Sequence, residues 1–361
     1  MERRLTSRNV SLDWVEQDEQ ERDTISAHLI QNTYTRLKLQ YAENLRQNWV
    51  EQLESPNQIL EQLSLAACLI ELWKNMYNTS TEQQSSKPTP FPGFVDIACG
   101  NGILVYILLT EGYKGVGYDA CRRKTWATFP AEIQKCLEER IFIPKPFADV
   151  LDLHGIEIHT GDFPDNTFII SDHADELTVW TPIMAALASP SSPLPFFVIP
   201  CCSRSLAGSA YRYPPPGSAD ARKEVEQNSQ PAAGDLRALR ARKMEEKTES
   251  GFLGSMVGSL AAKTMSIAED IGFDVEKTWL RTPGAVNMAL IGGRRTAQEW
   301  IKHSGSGDSR ITQDQGDSVL KKITEVVERE CSKDGGIPVA AKLWVERTKS
   351  LRQGQGMHQA N

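Results

Sequence analysis

Between His28 and Tyr77 apolar residues recur at helical spacing. Leu37, Tyr41, Leu45 and Trp49 form one series; Ile59, Leu60, Leu63, Ala66, Ala67, Ile70 and Trp73 form a second. Ser55-Pro56 divides them, and proline suits a first helical turn. The pattern predicts two helices over 30–77, a helical cap packed beside whatever sheet follows. Residues 78–93 read as a polar, proline-containing connector.

From residue 94 the texture changes. Phe94–Ala98 is a short apolar strand that runs into Cys99-Gly100-Asn101-Gly102, and Ile103–Leu109 reads as a buried helix stopped at Gly112. Gly115–Tyr118 predicts a second strand, closed by Asp119. A further strand–loop series starts near Ile156. It gives strand Thr167–Ser171 ending at Asp172, helix Glu176–Ala188 and the fully apolar strand Phe196–Ile199. A Pro/Gly/Ala-rich and then charged stretch at about 214–250 reads as an inserted loop. Helix 252–271 and strands Val275–Leu280 and Val286–Ile291 follow. Beyond a polar linker at 303–317, Val319–Cys331 and Val339–Leu351 look like short amphipathic helices.

Strands alternating with helices imply a Rossmann-like α/β fold, a mostly parallel sheet with helices on both faces, plus the N-terminal helical cap. The expected organisation is an N-terminal helical region and linker (1–93), an α/β domain (94–302), and a C-terminal linker with short helices (303–361).

Composition narrows the function. A formal charge of −7 excludes a strongly basic, indiscriminate nucleic-acid binder but leaves room for a local basic patch. No apolar run has bilayer-spanning length and the first residues lack a signal-peptide core, so no membrane association is expected. The seven cysteines form no CxxC pair and no zinc-type ladder with histidine. Reduced thiols, no metal and a cytoplasmic location are the corresponding expectations.

A strand acid, a glycine turn and a helix make a recognisable cofactor device. Glycine lets the backbone turn tightly and approach a ligand, while the helix N-terminus offers free N–H groups. In methyltransferases such a loop holds the methionine end of S-adenosylmethionine; here the parts are Asp96, Cys99, Gly100, Asn101 and Gly102. A dinucleotide loop needs G-x-G-x-x-G, and Val105 stands where the third glycine would be, which weakens an NAD reading. A purely steric turn is the bland alternative. Asp119, at the end of the next strand, is placed to accept hydrogen bonds from ribose hydroxyls. Asp162-Phe163, an acid beside an aromatic, is a candidate adenine contact, although Asp-x-Pro turns are common. Three acids after successive strand-like segments favour the cofactor reading.

Together these segments resemble one group, the tRNA (uracil-2′-O)-methyltransferases that modify the ribose of uridine 44 in tRNA. LKLQYA (37–42) with AACLIELW (66–73), FVDIACGNGILVYILLTEGYKGVGYDACRRKTWATFP (94–130), IISDHADELTVWTPIMAA (169–186) with FFVIPCC (196–202), and IGFDVEKTWLRTPGAVNMALIGGRR (271–295) carry the resemblance. It implies S-adenosylmethionine as methyl donor and tRNA as substrate. The family tends to have Asn-His where Asp172-His173 stands, and a basic residue within the segment Gly284–Asn287. A methyltransferase of the same fold acting on protein or a small molecule, and an inactive RNA-binding relative, are the alternatives.

Ribose methylation needs in-line alignment of oxygen, methyl and sulfur, with removal of one proton. Reacting groups in a parallel sheet gather beyond the carboxyl ends of the strands. That edge receives Asp172, His173, Asp175 and Glu176, the candidate catalytic set, with helix capping the competing role for Asp175 and Glu176. Arg122, Arg123 and Lys124 after the second strand, and Arg204 with Tyr211, Arg212 and Tyr213 after the strand at 196–199, are candidate tRNA contacts. Cys201 and Cys202 read as strand-end packing rather than as a nucleophile.

Overall fold

The computed structural model describes residues 25–52, 54–77, 91–153, 157–216, 249–282, 285–303 and 313–352. Most of the expected 214–250 insertion lies outside these residues.

Two helices open the described chain, α1 (Ala27–Gln47) and α2 (Gln58–Tyr77). Then follow β1 (Phe94–Ile97), α3 (Ile103–Thr110), β2 (Gly115–Asp119), a 3-10 turn at Lys124–Thr128, α4 (Ala131–Gln134) and β3 (Leu137–Glu139). After β4 (Ile141–Phe142), α5 (Lys145–Ala148) and β5 (Ile158–His159) come β6 (Phe168–Asp172), α6 (Leu177–Ala188) and β7 (Phe196–Ile199). The chain continues through α7 (Glu249–Gly254), α8 (Met256–Ile271), β8 (Val275–Thr282), β9 (Ala285–Gly292), α9 (Arg294–His303), α10 (Gln313–Ser332) and α11 (Ile337–Arg352).

The main sheet has seven strands in the order β3-β2-β1-β6-β7-β9-β8. β3, β2, β1, β6 and β7 are parallel; the β8–β9 hairpin closes the edge antiparallel, β9 against β7. The central strands β6 and β7 were legible as largely apolar runs, as a sheet covered on both faces requires. Alternation within each run assigns the faces. Phe94, Phe168, Ile170 and Phe197 pack with α1, α2 and α3, whereas Val95, Ile97, Ile169, Phe196 and Val198 pack with α6, α8, α10 and α11.

The N-terminal helices pack against the sheet as expected, α2 as part of one covering layer, with Trp73 against Phe94 of β1 (5.6 Å) and Phe168 of β6 (5.4 Å). One expectation changes. The C-terminal helices are full-length and belong to the opposite layer, with Val326, Val327, Cys331, Ala340, Ala341 and Trp344 buried. Apolar spacing revealed these helices but not which face each would cover.

Sheet order also locates a crevice. From β1 the chain runs outward to β2 and β3, then crosses back to β6 on the other side of β1. That reversal leaves an opening beyond the carboxyl ends of β1 and β6, where open α/β sheets bind ligands.

Candidate active site

The opening is a cavity of about 420 Å³, within the range of small-molecule sites. Its floor is the turn after β1. Ala98, Gly100 and Gly102 have φ of 66°, 53° and 74°, a left-handed path that turns the chain sharply from strand into α3. A Cβ on Gly100 would meet nothing within 4 Å, so this backbone faces open space. One on Gly102 would press at 3.1 Å on Leu137 and on the indole Nε1 of Trp126. Trp126 in turn donates from Nε1 to the Gly100 carbonyl at 2.9 Å, holding the turn from beneath.

Asp119 ends β2 beside this turn. It accepts the Gly100 N–H at 2.9 Å and the Cys121 N–H at 3.0 Å, and pairs with Arg123 at 3.9 Å. Burial nevertheless raises its carboxyl above the ordinary carboxylate range, against the pull of Arg123 and the two N–H groups. Asp96 is more extreme. It is buried, its Oδ1 has no hydrogen-bond partner among the described residues, and it lines the cavity. Burial, then the charges of Asp172 and Asp119, push it well above its usual value. Cys99, also on the wall, is raised chiefly by burial.

Asn101 looks toward α2. Its amide donates to Glu54 (2.9 Å) and Gln58 (3.1 Å), while its Oδ1 accepts the Ile103 N–H at 3.1 Å and so caps α3. Glu54, Gln58, Glu61 and Gln62 all line the cavity. None of the four was expected there. Their signal in the sequence is a polar edge of Gln58, Glu61 and Gln62 at the start of an otherwise apolar helix, with Glu54 just before it.

The opposite wall comes from the end of β6. Asp172 Oδ2 accepts from Gln62 Nε2 at 2.9 Å, and its Oδ1 lies 3.7 Å from His173 Nε2. The His173 side chain is half exposed and lines the cavity. His173 and Asp175 have φ of 52° and 48°, an uncommon conformation for such residues that turns the chain out of the strand. Asp175 accepts the Cys201 thiol at 3.4 Å and pairs with Arg347 at 3.4 Å. Glu176 is buried between Arg347 Nε (3.1 Å) and Arg204 Nε (3.6 Å). Desolvation raises Glu176 even so, the arginines opposing it. Asp175, Cys201 and Cys202 also bring donor atoms within 4.8 Å of one another, a grouping that adjacent cysteines were not expected to form. Its hydrogen bond with Cys202, then burial, push the Cys201 thiol up, and the same contact lowers Cys202.

Several expected residues stand elsewhere. Asp162 and Phe163 are not in this cavity: they line a separate recess with Pro92, Lys114 and Thr167, and the Phe163 ring is buried against His159. They precede β6 and so sit at the amino end of the sheet, opposite the crevice. The corresponding wall is built by Arg140, Ile141 and Phe142 after β3, a three-residue strand too short to be read from periodicity. Arg204 does not line the cavity; it holds Glu176 and the Gly208 carbonyl. Of the basic run, Arg123 lines the cavity, while Arg122 and Lys124 are exposed outside it, Arg122 over the Trp126 ring at 5.4 Å. Trp344 and Thr348 of α11 close the far side, and the Trp344 indole donates to the Phe142 carbonyl at 2.8 Å.

Residues 24–144 match the family model described as "Predicted AdoMet-dependent methyltransferase". Proteins named tRNA (uracil-O(2)-)-methyltransferase are similar over most of the chain. That of Aspergillus oryzae is 51% identical over 92% of this chain and 56% of its own. That of Neurospora crassa is 38% identical over 74% and 46%, and that of Schizosaccharomyces pombe 33% over 79% and 51%. The chain belongs to their family. It spans about half the length of these curated relatives.

The methyl donor of the family is S-adenosylmethionine, and the cavity fits it. An unpartnered buried carboxylate oxygen (Asp96) suits a cationic amine, and the open face of Gly100 admits close backbone contact. The second-strand acid, Asp119, borders the same space. The matched segment 24–144 includes α1 and α2 along with the glycine turn. Among the described residues no helix is long and apolar enough to cross a membrane.

Proposed function

We propose that this chain carries the methyl-transfer unit of a tRNA (uracil-2′-O)-methyltransferase acting on the ribose of uridine 44. The observation that carries the reading is convergence. The glycine turn with Asp96 and Asp119, and the β6 end with Asp172 and His173, face one cavity in a chain 51% identical to an enzyme of that name.

S-adenosylmethionine, when bound, supplies a methyl group on a positively charged sulfur. Asp96 takes the cationic amine of its methionine part, the Gly100–Gly102 backbone lies along it, and Asp119 accepts from the ribose. Arg140–Phe142 form the wall for the adenine, in place of Asp162 and Phe163. Asp172 accepts a hydrogen bond from the attacking 2′-hydroxyl and orients it. The 2′-oxygen would take the methyl as its bond to the sulfonium sulfur breaks, with S-adenosylhomocysteine as the leaving group, and the hydroxyl proton would pass to Asp172 and leave by way of the exposed His173. Asp175 and Glu176 anchor α11 through Arg347 rather than touch the substrate.

Arg123 at the cavity rim, with Arg122 and Lys124 outside it, is the phosphate-binding patch, a local one on a chain of charge −7. The unit is wider than residues 94–302, because α2 and α11 line its cavity. A cytoplasmic place of work goes with this substrate and with seven cysteines that all stand as free thiols. The test is methyl transfer from labelled S-adenosylmethionine to an unmodified tRNA transcript, followed by nuclease digestion and mass mapping. Label in 2′-O-methyluridine at position 44 is expected; label in protein, or none, sinks the reading.

A further inference from the structure

From Leu63 to Trp73 every residue of α2 is buried. The start of the helix differs: Gln58, Glu61 and Gln62 in its first turns, with Glu54 from the bend just before it, share one cavity wall. Gln58 and Glu54 hold the Asn101 amide on the glycine turn, and one turn further on Gln62 donates to Asp172. A single helix therefore touches both the loop after β1 and the acid at the end of β6. Those are the two places whose separation sets the distance between methyl donor and acceptor. The helix is itself fixed to both strands, through the Trp73 ring on Phe94 and Phe168.

We propose that Gln62 is a positioning residue for Asp172. The proposal rests on the methyl-transfer reading above and adds a residue from outside the sheet. A carboxylate rotates readily about its last bond, and a strand end alone does not choose which oxygen faces a substrate. The Gln62 N–H engages Oδ2 at 2.9 Å and leaves Oδ1, on the His173 side, to meet the hydroxyl. Hydrogen bonds to charged groups are the strong ones, and small errors in reacting geometry are costly in rate. Gln62 thus acts on turnover through Asp172, while the Asn101 contacts of Glu54 and Gln58 keep the cofactor turn in register with it.

The experiment uses the whole chain with Gln62→Met, which keeps the length but has no donor, and Gln62→His, which retains an N–H. Steady-state transfer to tRNA is measured beside S-adenosylmethionine binding by calorimetry and thermal melting. Loss of a hydrogen bond to a charged group corresponds to a fall in kcat of roughly ten- to a hundredfold for Gln62→Met. Cofactor Kd and tRNA KM should stay within about twofold, and Gln62→His should recover part of the loss. A kcat within about twofold of wild type in Gln62→Met overturns the proposal, as does a loss confined to Kd, KM or melting temperature. If the wild-type chain transfers no methyl to tRNA, the wider reading fails and this one falls with it. An active wild type with an indifferent Gln62 removes this one alone.

Discussion

Asp96 offers the sharpest single perturbation. It is a buried carboxylate with one oxygen unpartnered and two further acids acting on it, so the ligand-free protein holds it at an energetic cost. Its folded-state pKa lies above the unfolded value of 3.8. For a raised pKa, the stability contribution is fully present below the unfolded value and is lost as pH rises through the folded one. Each unit of displacement corresponds to about 1.4 kcal/mol. Asp96→Asn removes the titration without changing the volume. Without cofactor, the variant should match wild type at acid pH and melt higher as pH rises toward neutrality, by roughly 2 °C or more per kcal/mol.

Binding should change in the opposite sense. A cationic amine favours ionised Asp96, so wild-type affinity for S-adenosylmethionine should increase with pH until the acid is fully ionised. Proton release should appear as a buffer-dependent binding enthalpy. Replacing the charged acceptor costs about 1.5–3 kcal/mol, or roughly ten- to a hundredfold in Kd, and should remove that pH dependence. Melting curves against pH and calorimetry in two buffers measure both halves. An Asn variant less stable than wild type at neutral pH, with unchanged Kd, would refute the reasoning.

Other positions test other parts. Trp344→Ala should destabilise by about 3–5 kcal/mol and weaken cofactor binding, because the indole is both core and cavity wall; chemical denaturation with a binding titration measures this. Arg347→Met removes the closest cation from Glu176, whose carboxyl burial already raises. Its stability deficit should be small at acid pH and grow as pH rises above 4.5, checked by urea titrations at several pH values. Gly100→Ala and Gly102→Ala both place a side chain at positive φ, at about 1 kcal/mol each, but only Gly102→Ala also strains Leu137 and Trp126. Gly102→Ala should therefore show the larger fall in melting temperature, whereas Gly100→Ala should act mainly on cofactor Kd.

Much of this molecule was determined locally. Strands alternating with helices marked a mostly parallel sheet covered on both faces. The turn Cys99–Gly102 is written in glycines because its backbone takes positive φ, and Asp119 follows from strand polarity alone. These are short-range consequences of sterics and periodicity, so neighbours in sequence suffice to state them. Asp162 and Phe163 line a recess apart from the cavity, and the wall on the β3 side was not legible, for a physical reason. β3 has only three residues, too few for a period, and its strand character exists only because β2 pairs with it. Asp162 does follow a strand, Ile158–His159, but that strand pairs with β4 in a separate two-stranded sheet, so it does not deliver Asp162 to the carboxyl edge of the main sheet.

The rest was decided by which faces meet. The polar edge Glu54–Gln62 became cavity wall because α2 lies on the face shared by β1 and β6. The helix Ile337–Arg352 reached the site because Trp344 found the Phe142 carbonyl 202 residues earlier in the chain. Glu176 lines the cavity between Arg347 and Arg204, a pairing made across the fold because burial makes a lone charge there costly. Periodicity identifies a helix and its apolar face; where that face docks, and what its polar edge then confronts, depends on long-range packing that no local window contains.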